Sequence, residues 1–529
     1  MNQKTGPGAG KSVIQQASQG ALAGLELTHQ GAQPLHQQLY LALRGRILAG
    51  QLVAGTRLPS SRLLAAELGV SRNTVITALD QLLAEGLVSA RVGAGTVVSA
   101  SFRSDWPTTS AKPPLRRVSA TELSARGRRL AARHRSLPES TSGRPFQPGI
   151  PALDHFPWPL WSRLLARAQR ELGPDAAGYG HAGGLKSLRE AIAGYLAAAR
   201  GVRCQPHQVL VVSNAQAALD ITARMLTEPG DGAWLEAPGY SGARAAFDGA
   251  GLRLVPVEVD KEGAQIGDLN GSPPAHGADR GAVLKIGYVT PSHQFPLGST
   301  LSLERRQRLL DWADRVDGWI IEDDYDSEFR YANRPVAAMQ GLTANARVIY
   351  VGSFSKTMFP GLRVAYMVVP DGLDAPFRQA LRQTGQEPSV PIQAALVRFI
   401  TEGHFGRHLR RMRQLYGDRR HRLAAALSHL MKFAGHTVPA DGGLQLTFEL
   451  SDGWPEAHVL SVVRELGLGM EGLSHYHVDD LTRARHIPPG LVFGCGYCGV
   501  EPLEAHIERL ASKMRSSHSK SYDVSAGMR

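Results

Sequence analysis

Apolar residues in the N-terminal part of the chain recur with the period of an α-helix. Leucine or isoleucine stands at positions 35, 39, 43 and 47, and this spacing predicts a helix with one buried stripe. A second, short helix is expected over residues 62–68, where Gly69 ends it. The polar residues 1–32, rich in glycine and glutamine, predict a flexible tail before these helices.

A third helix is predicted directly after the second. Ser71 is a suitable N-cap, the helix ends near Glu85, and Gly86 follows it. Its expected buried face consists of four apolar residues: Val75, Leu79, Leu82 and Leu83. Short strands at 87–88 and 96–98 then enclose residues 91–95 as a hairpin. Two short helices, a tight turn and such a hairpin together predict a winged helix-turn-helix.

The rest of the chain contains continuous apolar runs, which are typical of strands buried on both faces. Runs at 347–351 and 364–369 flank a polar loop, and a further run ends at Ile320 and Ile321. Carboxylates follow that run directly, and Glu322 and Asp326 are explained well enough as an acidic loop end. Strands at these intervals predict an α/β domain.

Chain length and cysteine content limit the number of domains and the class of protein. A chain of 529 residues implies two or more domains. No apolar run approaches the about 20 residues of a membrane helix, and the first residues lack the apolar core of a signal peptide. Three cysteines cannot form a disulfide framework. We therefore expect a cytoplasmic protein.

Two local motifs contain the residue types of metal or redox sites. We expect neither kind of site from them. Cys495-Gly-Tyr-Cys498 has suitable spacing, yet no second pair completes a site, and burial of two thiols explains it better. His475 and His477, with two aspartates close behind, are expected in a polar loop. No metal site is predicted.

Charge is concentrated in one segment. The formal net charge is +12, and residues 101–145 combine many arginines with proline, serine and alanine. This composition predicts a basic linker with a short helix near residues 121–135. The segment is either a solvated charge run or a further contact with DNA phosphates, which would steepen the salt dependence of binding.

Candidate chemistry lies in the loop between the runs at 347–351 and 364–369. Lys356 is preceded by Ser353 and Ser355 and followed by Arg363. A lysine in a dry site can lose its proton and attack a carbonyl group. The hydroxyls and the arginine supply hydrogen bonds and a bidentate charge for a phosphate. Together they predict a site for pyridoxal phosphate.

An acidic partner for such a cofactor stands upstream. The pyridine nitrogen of pyridoxal phosphate needs a carboxylate to stay protonated and to act as an electron sink. Asp323 fits that role, and Tyr325 can hydrogen-bond the phenolic oxygen of the ring.

Residues 146–515 resemble a fold-type I aminotransferase. The resemblance rests on Ser353-x-Ser355-Lys356 and Pro360-Gly361-x-Arg363, which match the family's signature. It implies an α/β PLP-dependent transferase fold, with a large, mostly parallel sheet domain and a small α+β subdomain. It also implies the roles of the matched residues: Lys356 as the internal aldimine lysine, Asp323 as the pyridine partner, Tyr325 as the ring-oxygen donor and Arg363 as a phosphate ligand.

Three further segments extend this resemblance. Residues 209–219 look like the family's phosphate cup, with the backbone amides of Ala215 and Gln216 at a helix N-terminus. Tyr240 stands where an aromatic ring stacks on the cofactor. Tyr179 matches the tyrosine that reaches the phosphate from a partner subunit, so the resemblance implies a homodimer.

Residues 33–100 resemble the GntR family of bacterial DNA-binding domains. The string Gly55-Thr-Arg-Leu-Pro-Ser-Ser-Arg-Leu-Leu-Ala65, continued through residues 68–75, carries this resemblance. Arginine can read guanine, asparagine can read adenine, and a glycine at the wing tip lets the backbone approach the minor groove. The resemblance implies promoter contacts through Arg62, Ser71, Arg72, Asn73, Thr74 and Gly93. The alternative is a small helical adaptor with surface arginines.

A GntR-type unit joined through a long linker to an aminotransferase-like domain resembles the MocR family of transcriptional regulators. The expected organisation is a tail at 1–32, the winged helix-turn-helix at 33–100, the basic linker at 101–145, the cofactor domain at 146–515 and a tail at 516–529. The implied function is a regulator that senses a small amine, an amino acid or a vitamin B6 compound through an aldimine at Lys356. The alternatives are an active aminotransferase with a DNA-tethering head and a DNA-binding protein with a vestigial pocket.

Two departures from the enzymes favour sensing over turnover. The enzymes have Asn-Pro where this chain has Phe295-Pro296, and phenylalanine cannot donate to the ring oxygen of the cofactor. The strand at 490–494 usually carries an arginine that binds the substrate carboxylate, but here it has Leu491 and Val492. An ordinary α-amino acid is therefore expected to be poorly anchored.

Overall fold

The computed structural model describes residues 25–28, 33–91, 95–99, 123–132, 143–266, 283–331, 337–343, 347–477 and 488–526. The chain divides into two compact units, Met1–Ser119 and Ala120–Arg529. Each unit is described by itself.

The first unit is the predicted winged helix-turn-helix. Its helices are α1 (Leu35–Leu48), α2 (Ser61–Glu67) and α3 (Arg72–Ala84), and its wing strands are β1 (Val88–Arg91) and β2 (Gly95–Val98). The wing strands pair antiparallel, with Val88 opposite Val98. Ser60 and Ser71 cap α2 and α3, because their side chains accept hydrogen bonds from the amides of Leu63 and Thr74. The expected N-cap of the third helix is confirmed.

The buried face of α3 differs from the expectation at one position. Val75 and Leu82 are fully buried, and Leu79 is partly buried against the same core. Leu83, expected to be inside, is 43% exposed. Ala78 takes the inner position instead, because residues 75, 78, 79 and 82 follow the helical period more closely than residue 83 does.

The second unit is built on an eight-stranded sheet in the order β3-β10-β9-β8-β7-β4-β5-β6. The strands are β3 (Val209–Val212), β4 (Gly232–Ala237), β5 (Arg253–Asp260), β6 (Gly263–Ala264), β7 (Leu284–Val289), β8 (Trp319–Asp324), β9 (Val348–Ser353) and β10 (Ala365–Val368). Strands β5, β4, β7, β8 and β9 are parallel, whereas β10 is antiparallel to both its neighbours. The mostly parallel sheet is confirmed.

Helices and loops cover both faces of this sheet. Val209 and Val211 pack into one core, while Leu210 and Val212 pack into the core on the opposite face. This two-sided burial explains why the strands read as continuous apolar runs. The helices before the small subdomain are α4 (Ala125–Ala132), α5 (Trp158–Leu172), α6 (Lys186–Arg200), α7 (Ala215–Leu226), α8 (Ser241–Ala250), α9 (Leu303–Arg315), α10 (Phe354–Thr357), α11 (Asp374–Thr384) and α12 (Val390–Thr401).

The small subdomain is a four-stranded antiparallel sheet in the order β11-β12-β14-β13. Its strands are β11 (Gly435–Thr437), β12 (Gln445–Leu450), β13 (Glu471–Gly472) and β14 (Gly490–Gly494), and its helices are α13 (His404–Leu430), α14 (Glu456–Glu465) and α15 (Leu503–Ala526). Cys495 and Cys498 are buried in its core, as expected. Within the described ranges, no helix combines the length and apolar content needed to cross a bilayer.

The predicted basic linker contains a helix, α4, and this helix has a packing partner. It lies against α8 of the large sheet domain. The guanidinium of Arg126 donates to the carbonyl oxygen of Gly249 at 3.5 Å. Ser124 precedes the helix, and its hydroxyl accepts from the amide of Gly127 at 3.0 Å. The short basic helix expected near residues 121–135 is confirmed at Ala125–Ala132.

Substitution of the two adjacent leucines tests the packing of α3. We expect Leu82→Ala to lower the free energy of unfolding of the first unit by about 2–5 kcal/mol, because its side chain is fully buried. Leu83→Ala is the matched control and should change it by at most about 0.5 kcal/mol. Calorimetry of the full-length protein measures both. Similar losses for the two variants would contradict this packing.

Candidate cofactor site

A cavity of about 240 Å³ lies where the parallel strands of the large sheet end. The carboxyl ends of parallel strands form the usual ligand crevice of such sheets. The cavity is lined by the cofactor residues expected from the sequence, with the exception of Tyr179: Ala215, Gln216, Tyr240, Asp323, Tyr325, Ser353, Ser355, Lys356 and Arg363. Gln445 and Glu471 of the small subdomain complete the wall, so the cavity lies between the two sheets.

Lys356 is positioned by the one-turn helix α10 directly after β9. The hydroxyl of Ser353 caps this helix by accepting from the amide of Ser355 at 3.1 Å. Nζ of Lys356 donates to the carbonyl oxygen of Gly149 at 2.7 Å. Gly149 has a φ of +78°, and a Cβ atom there would lie 2.6 Å from Nζ. The left-handed backbone at this position favours glycine, and a side chain here would displace the amine of Lys356.

Asp323 is a buried carboxylate with one oxygen left for a ligand. Burial raises its pKa to about 7. The hydroxyl of Tyr288 donates to Oδ2 at 2.7 Å, while Oδ1 has no hydrogen-bond partner among the described residues. A buried acceptor without a partner is costly, and a protonated pyridine nitrogen would satisfy it. The residue thus fits the role expected of it.

The neighbouring carboxylates of β8 are structural. Glu322, expected at an acidic loop end, lies within β8 and is fully buried. It accepts from the backbone amides of Met339 and Gln340 at 2.7 and 2.8 Å. Asp324 pairs with Nε of Arg200 at 2.6 Å, and both side chains are buried. The expectation that Glu322 lies at a loop end was wrong. In the sequence, a buried glutamate that accepts from backbone amides cannot be distinguished from a glutamate in a loop.

The opposite end of the cavity is suited to a phosphate. Helix α7 begins at Ala215, and the side chain of Asn214 caps it by accepting from the amide of Ala217 at 2.9 Å. Amides at a helix N-terminus attract anions. Arg363 also lines the cavity, in a left-handed backbone conformation with φ of +55°. Such a conformation is uncommon for a residue with a side chain.

Aromatic rings form the remaining walls. Tyr240 and Tyr288 lie with ring centroids 6.4 Å apart, and a Cβ atom at Gly242 would collide with the Tyr240 ring at 2.4 Å. Phe295 occupies the wall where the enzymes have asparagine, and its ring meets those of Tyr240 and Tyr325 edge-on. The hydroxyl of Tyr325 lies 2.9 Å from Nδ1 of His293.

Tyr179 is separate from this cavity. Its side chain is fully exposed on the surface of the subunit. The proposed contact with a partner's phosphate therefore stays a prediction. Among the histidines expected in a polar loop, His477 is instead buried, and His475 lies in a 3-10 turn and lines the cavity.

The candidate DNA-binding residues lie in the first unit. Arg62, Arg72 and Asn73 are exposed, and Thr74 is partly buried. The hydroxyl of Ser71 lies 2.9 Å from that of Thr74, in addition to its capping bond. The first turn of α3 thus presents a guanidinium and a carboxamide to solvent. Gly93 lies outside the described residues.

Several lining residues were missed in the sequence. Asn214 carries a usable signal, since it stands between a predicted strand and a helix as an N-cap should. Tyr288 and Gln445 carry no such sequence signal. Tyr288 reaches the site because β7 pairs with β8, and Gln445 reaches it because the small subdomain forms part of the cavity wall.

Comparisons with known proteins agree with this architecture. The family model for aminotransferase class I and II matches residues 152–452, and that for bacterial regulatory proteins of the gntR family matches residues 35–98. The probable rhizopine catabolism regulatory protein MocR of Rhizobium meliloti is 44% identical over 473 residues, covering 89% of this chain and 91% of that protein. The chain belongs to the MocR family of GntR-type transcriptional regulators.

Other relatives share the same layout. The transcriptional regulator TauR of Rhodobacter capsulatus is 34% identical and covers 75% of this chain and 80% of its own length. The pyridoxine biosynthesis transcriptional regulator PdxR of Corynebacterium glutamicum is 31% identical, covering 87% of this chain and 91% of its own.

Solved aminotransferases match the second unit. Kynurenine aminotransferase of Pyrococcus horikoshii superposes with a TM-score of 0.64 at 25% identity, covering 76% of this chain and 98% of the enzyme. The α-aminoadipate aminotransferase LysN of Thermus thermophilus gives 0.63 at 25% identity, covering 73% and 97%. The family therefore implies pyridoxal phosphate as the cofactor.

Proposed function

We propose that this protein binds promoter DNA through its winged helix-turn-helix, holds pyridoxal phosphate at Lys356, and changes its promoter binding when a small amine enters the cofactor site. The observation that carries the proposal is the convergence of Lys356, the unpaired Oδ1 of Asp323 and the N-terminus of α7 in one cavity of a MocR-family chain.

Each end of the cavity would hold a different part of the cofactor. Asp323 would accept from the pyridine nitrogen, Tyr240 would cover the ring, and Arg363 with the amides of Ala215 and Gln216 would bind the phosphate. Pyridoxal phosphate supplies an aldehyde carbon that exchanges one amine for another. Lys356 supplies the amine of the resting protein, and Gly149 orients its Nζ toward the cavity.

The walls favour sensing over efficient transamination. Phe295 lies beside Tyr325, so the hydroxyl of Tyr325 lacks the asparagine that accompanies it in the enzymes. Leu491 and Val492 are buried, so the strand that anchors a carboxylate in the enzymes offers no cation here. An active aminotransferase with a DNA-tethering head is the second candidate, and measured turnover with an amino acid and a keto acid would favour it.

The DNA contacts and the homodimer belong to the same proposal. The exposed first turn of α3 would enter the major groove, where Arg72 would read guanine and Asn73 adenine, with Arg62 on the adjacent backbone. In a homodimer, the exposed Tyr179 would reach the phosphate site of the partner subunit, and the particle would carry two DNA-binding units.

The linker helix offers a route from the cavity toward the DNA-binding unit. Tyr240 and Ser241 line the cavity at the beginning of α8, and α4 of the linker lies against this same helix. A shift of α8 on ligand binding would therefore change the surface against which α4 packs. We propose that this packing couples the two functions.

Removal of the lysine amine tests the cofactor part. We expect Lys356→Ala to abolish the visible absorption band of the loaded protein and its fixation by borohydride, while the thermal unfolding temperature of the unloaded chain stays unchanged. Lys285→Ala, at a lysine outside the cavity, is the control. Mass spectrometry should place the reduced cofactor on Lys356, and its attachment to another lysine would refute the assignment.

Removal of one guanidinium tests the DNA part. Arg72→Ala should weaken specific promoter binding by about 1–3 kcal/mol, because one base readout is lost. Arg163→Ala removes the same charge from an exposed site in the second unit and serves as the control. Binding is measured by fluorescence anisotropy at one fixed salt concentration. Equal affinities of the two variants would exclude α3 as the recognition helix.

Disruption of α4 tests the coupling. Arg128→Pro removes the amide that donates to the Ser124 carbonyl at 2.9 Å, and proline inside a helix costs about 3 kcal/mol. We expect the variant to keep the cofactor band and promoter affinity but to lose the change in affinity caused by an amine effector. Arg128→Ala keeps the backbone amide but removes the side chain, with its charge and its hydrogen bond to the carbonyl oxygen of Leu123, and it should keep the response. A full response in the proline variant would show that α4 has no part in coupling.

A further inference from the structure

One wall of the cavity, called here the effector wall, has an acidic and aromatic character. Glu471, His475 and Tyr476 line it from β13 and the turn that follows. The hydroxyl of Tyr476 donates to Oε2 of Glu471 at 2.5 Å, which fixes the carboxylate in place. The Tyr476 ring in turn meets Phe295 edge-on, with centroids 5.0 Å apart. This wall therefore presents a positioned acceptor beside an apolar surface.

The strand at 490–494, which the resemblance implies would bind a carboxylate in the enzymes, is apolar in this protein. Val492 of β14 is fully buried and packs with Leu473 and Tyr476 in a small cluster, against which Phe295 also rests. Among the described residues that border the cavity, Arg363 carries a permanent positive charge, and Lys356 is the amine that would bond to the cofactor. The proposed function assigns both of these to the cofactor. The described effector wall thus offers a carboxylate no permanently charged partner.

We infer that the effector is a small primary amine that carries a second hydrogen-bond donor, a hydroxyl or an ammonium group, and no carboxylate. The inference rests on the proposed function, because it concerns the amine that replaces Lys356 at the cofactor. A donor group would bind the fixed Glu471 by a charge-assisted hydrogen bond. A carboxylate at the same place would lie against a like charge in a partly dry cavity, which is unfavourable.

Matched pairs of amines test the inference on full-length protein loaded with pyridoxal phosphate. Serinol is paired with serine, and putrescine with 4-aminobutyrate, so that each pair exchanges a donor for a carboxylate at nearly constant size. Titrations are followed by the visible spectrum and by calorimetry. We expect the donor member of at least one pair to bind about tenfold tighter or more, the equivalent of one hydrogen bond to a charged group of about 1.5 kcal/mol. The pair that responds identifies whether hydroxyl or ammonium is preferred.

A variant of the acidic wall separates recognition from general binding. Glu471→Gln keeps an acceptor for Tyr476 but removes the charge. For the pair that responds, it should reduce the ratio of the two dissociation constants about tenfold. Glu449→Gln, on strand β12 of the same sheet and outside the cavity lining, should leave the preference unchanged.

The outcomes distinguish this inference from the proposed function. If no visible band forms on loading, the proposed function fails and the inference fails with it. If the band forms but carboxylate members bind equally or better, or if none of the four amines alters the spectrum, the inference alone is overturned. It is overturned as well if the two glutamine variants behave alike.

Discussion

The site depends on a carboxylate held away from water at the end of a buried strand. Asp323 belongs to β8, which lies inside the sheet with neighbours on both sides, so its carboxyl is buried by the fold itself. Its burial is unfavourable until a cationic donor arrives. Tyr288 satisfies only one oxygen. The remaining oxygen would accept a hydrogen bond from the protonated ring nitrogen of the proposed cofactor.

The surrounding buried charges are compensated by the protein. Asp324 pairs with Arg200 through Oδ2, while its Oδ1 has no hydrogen-bond partner among the described residues, and Glu322 accepts two backbone amides. These contacts join β8 to the end of α6, which carries Arg200, and to the segment at 337–343. Three successive carboxylates on one strand thus have different tasks, which the local environment of each one determines.

Features that depend on residues close together in the chain could be predicted from the sequence, whereas features that depend on contacts between distant parts of the chain could not. The stripe of α1 and the cap at Ser71 are local, and they were confirmed, as was the mostly parallel sheet. The burial of Leu83 was predicted wrongly because two adjacent leucines both fit a coarse apolar pattern, and only tertiary packing decides between them. Tyr288, Gln445 and Gly149 meet the site from distant parts of the chain, so no local pattern identifies them.

The hydrogen bond from Lys356 to Gly149 has a mechanical consequence. Gly149 belongs to the described segment that begins at residue 143, C-terminal to the linker helix α4. Nζ donates a hydrogen bond to that segment. A covalent bond at this nitrogen would therefore alter the contact between α10 and that segment.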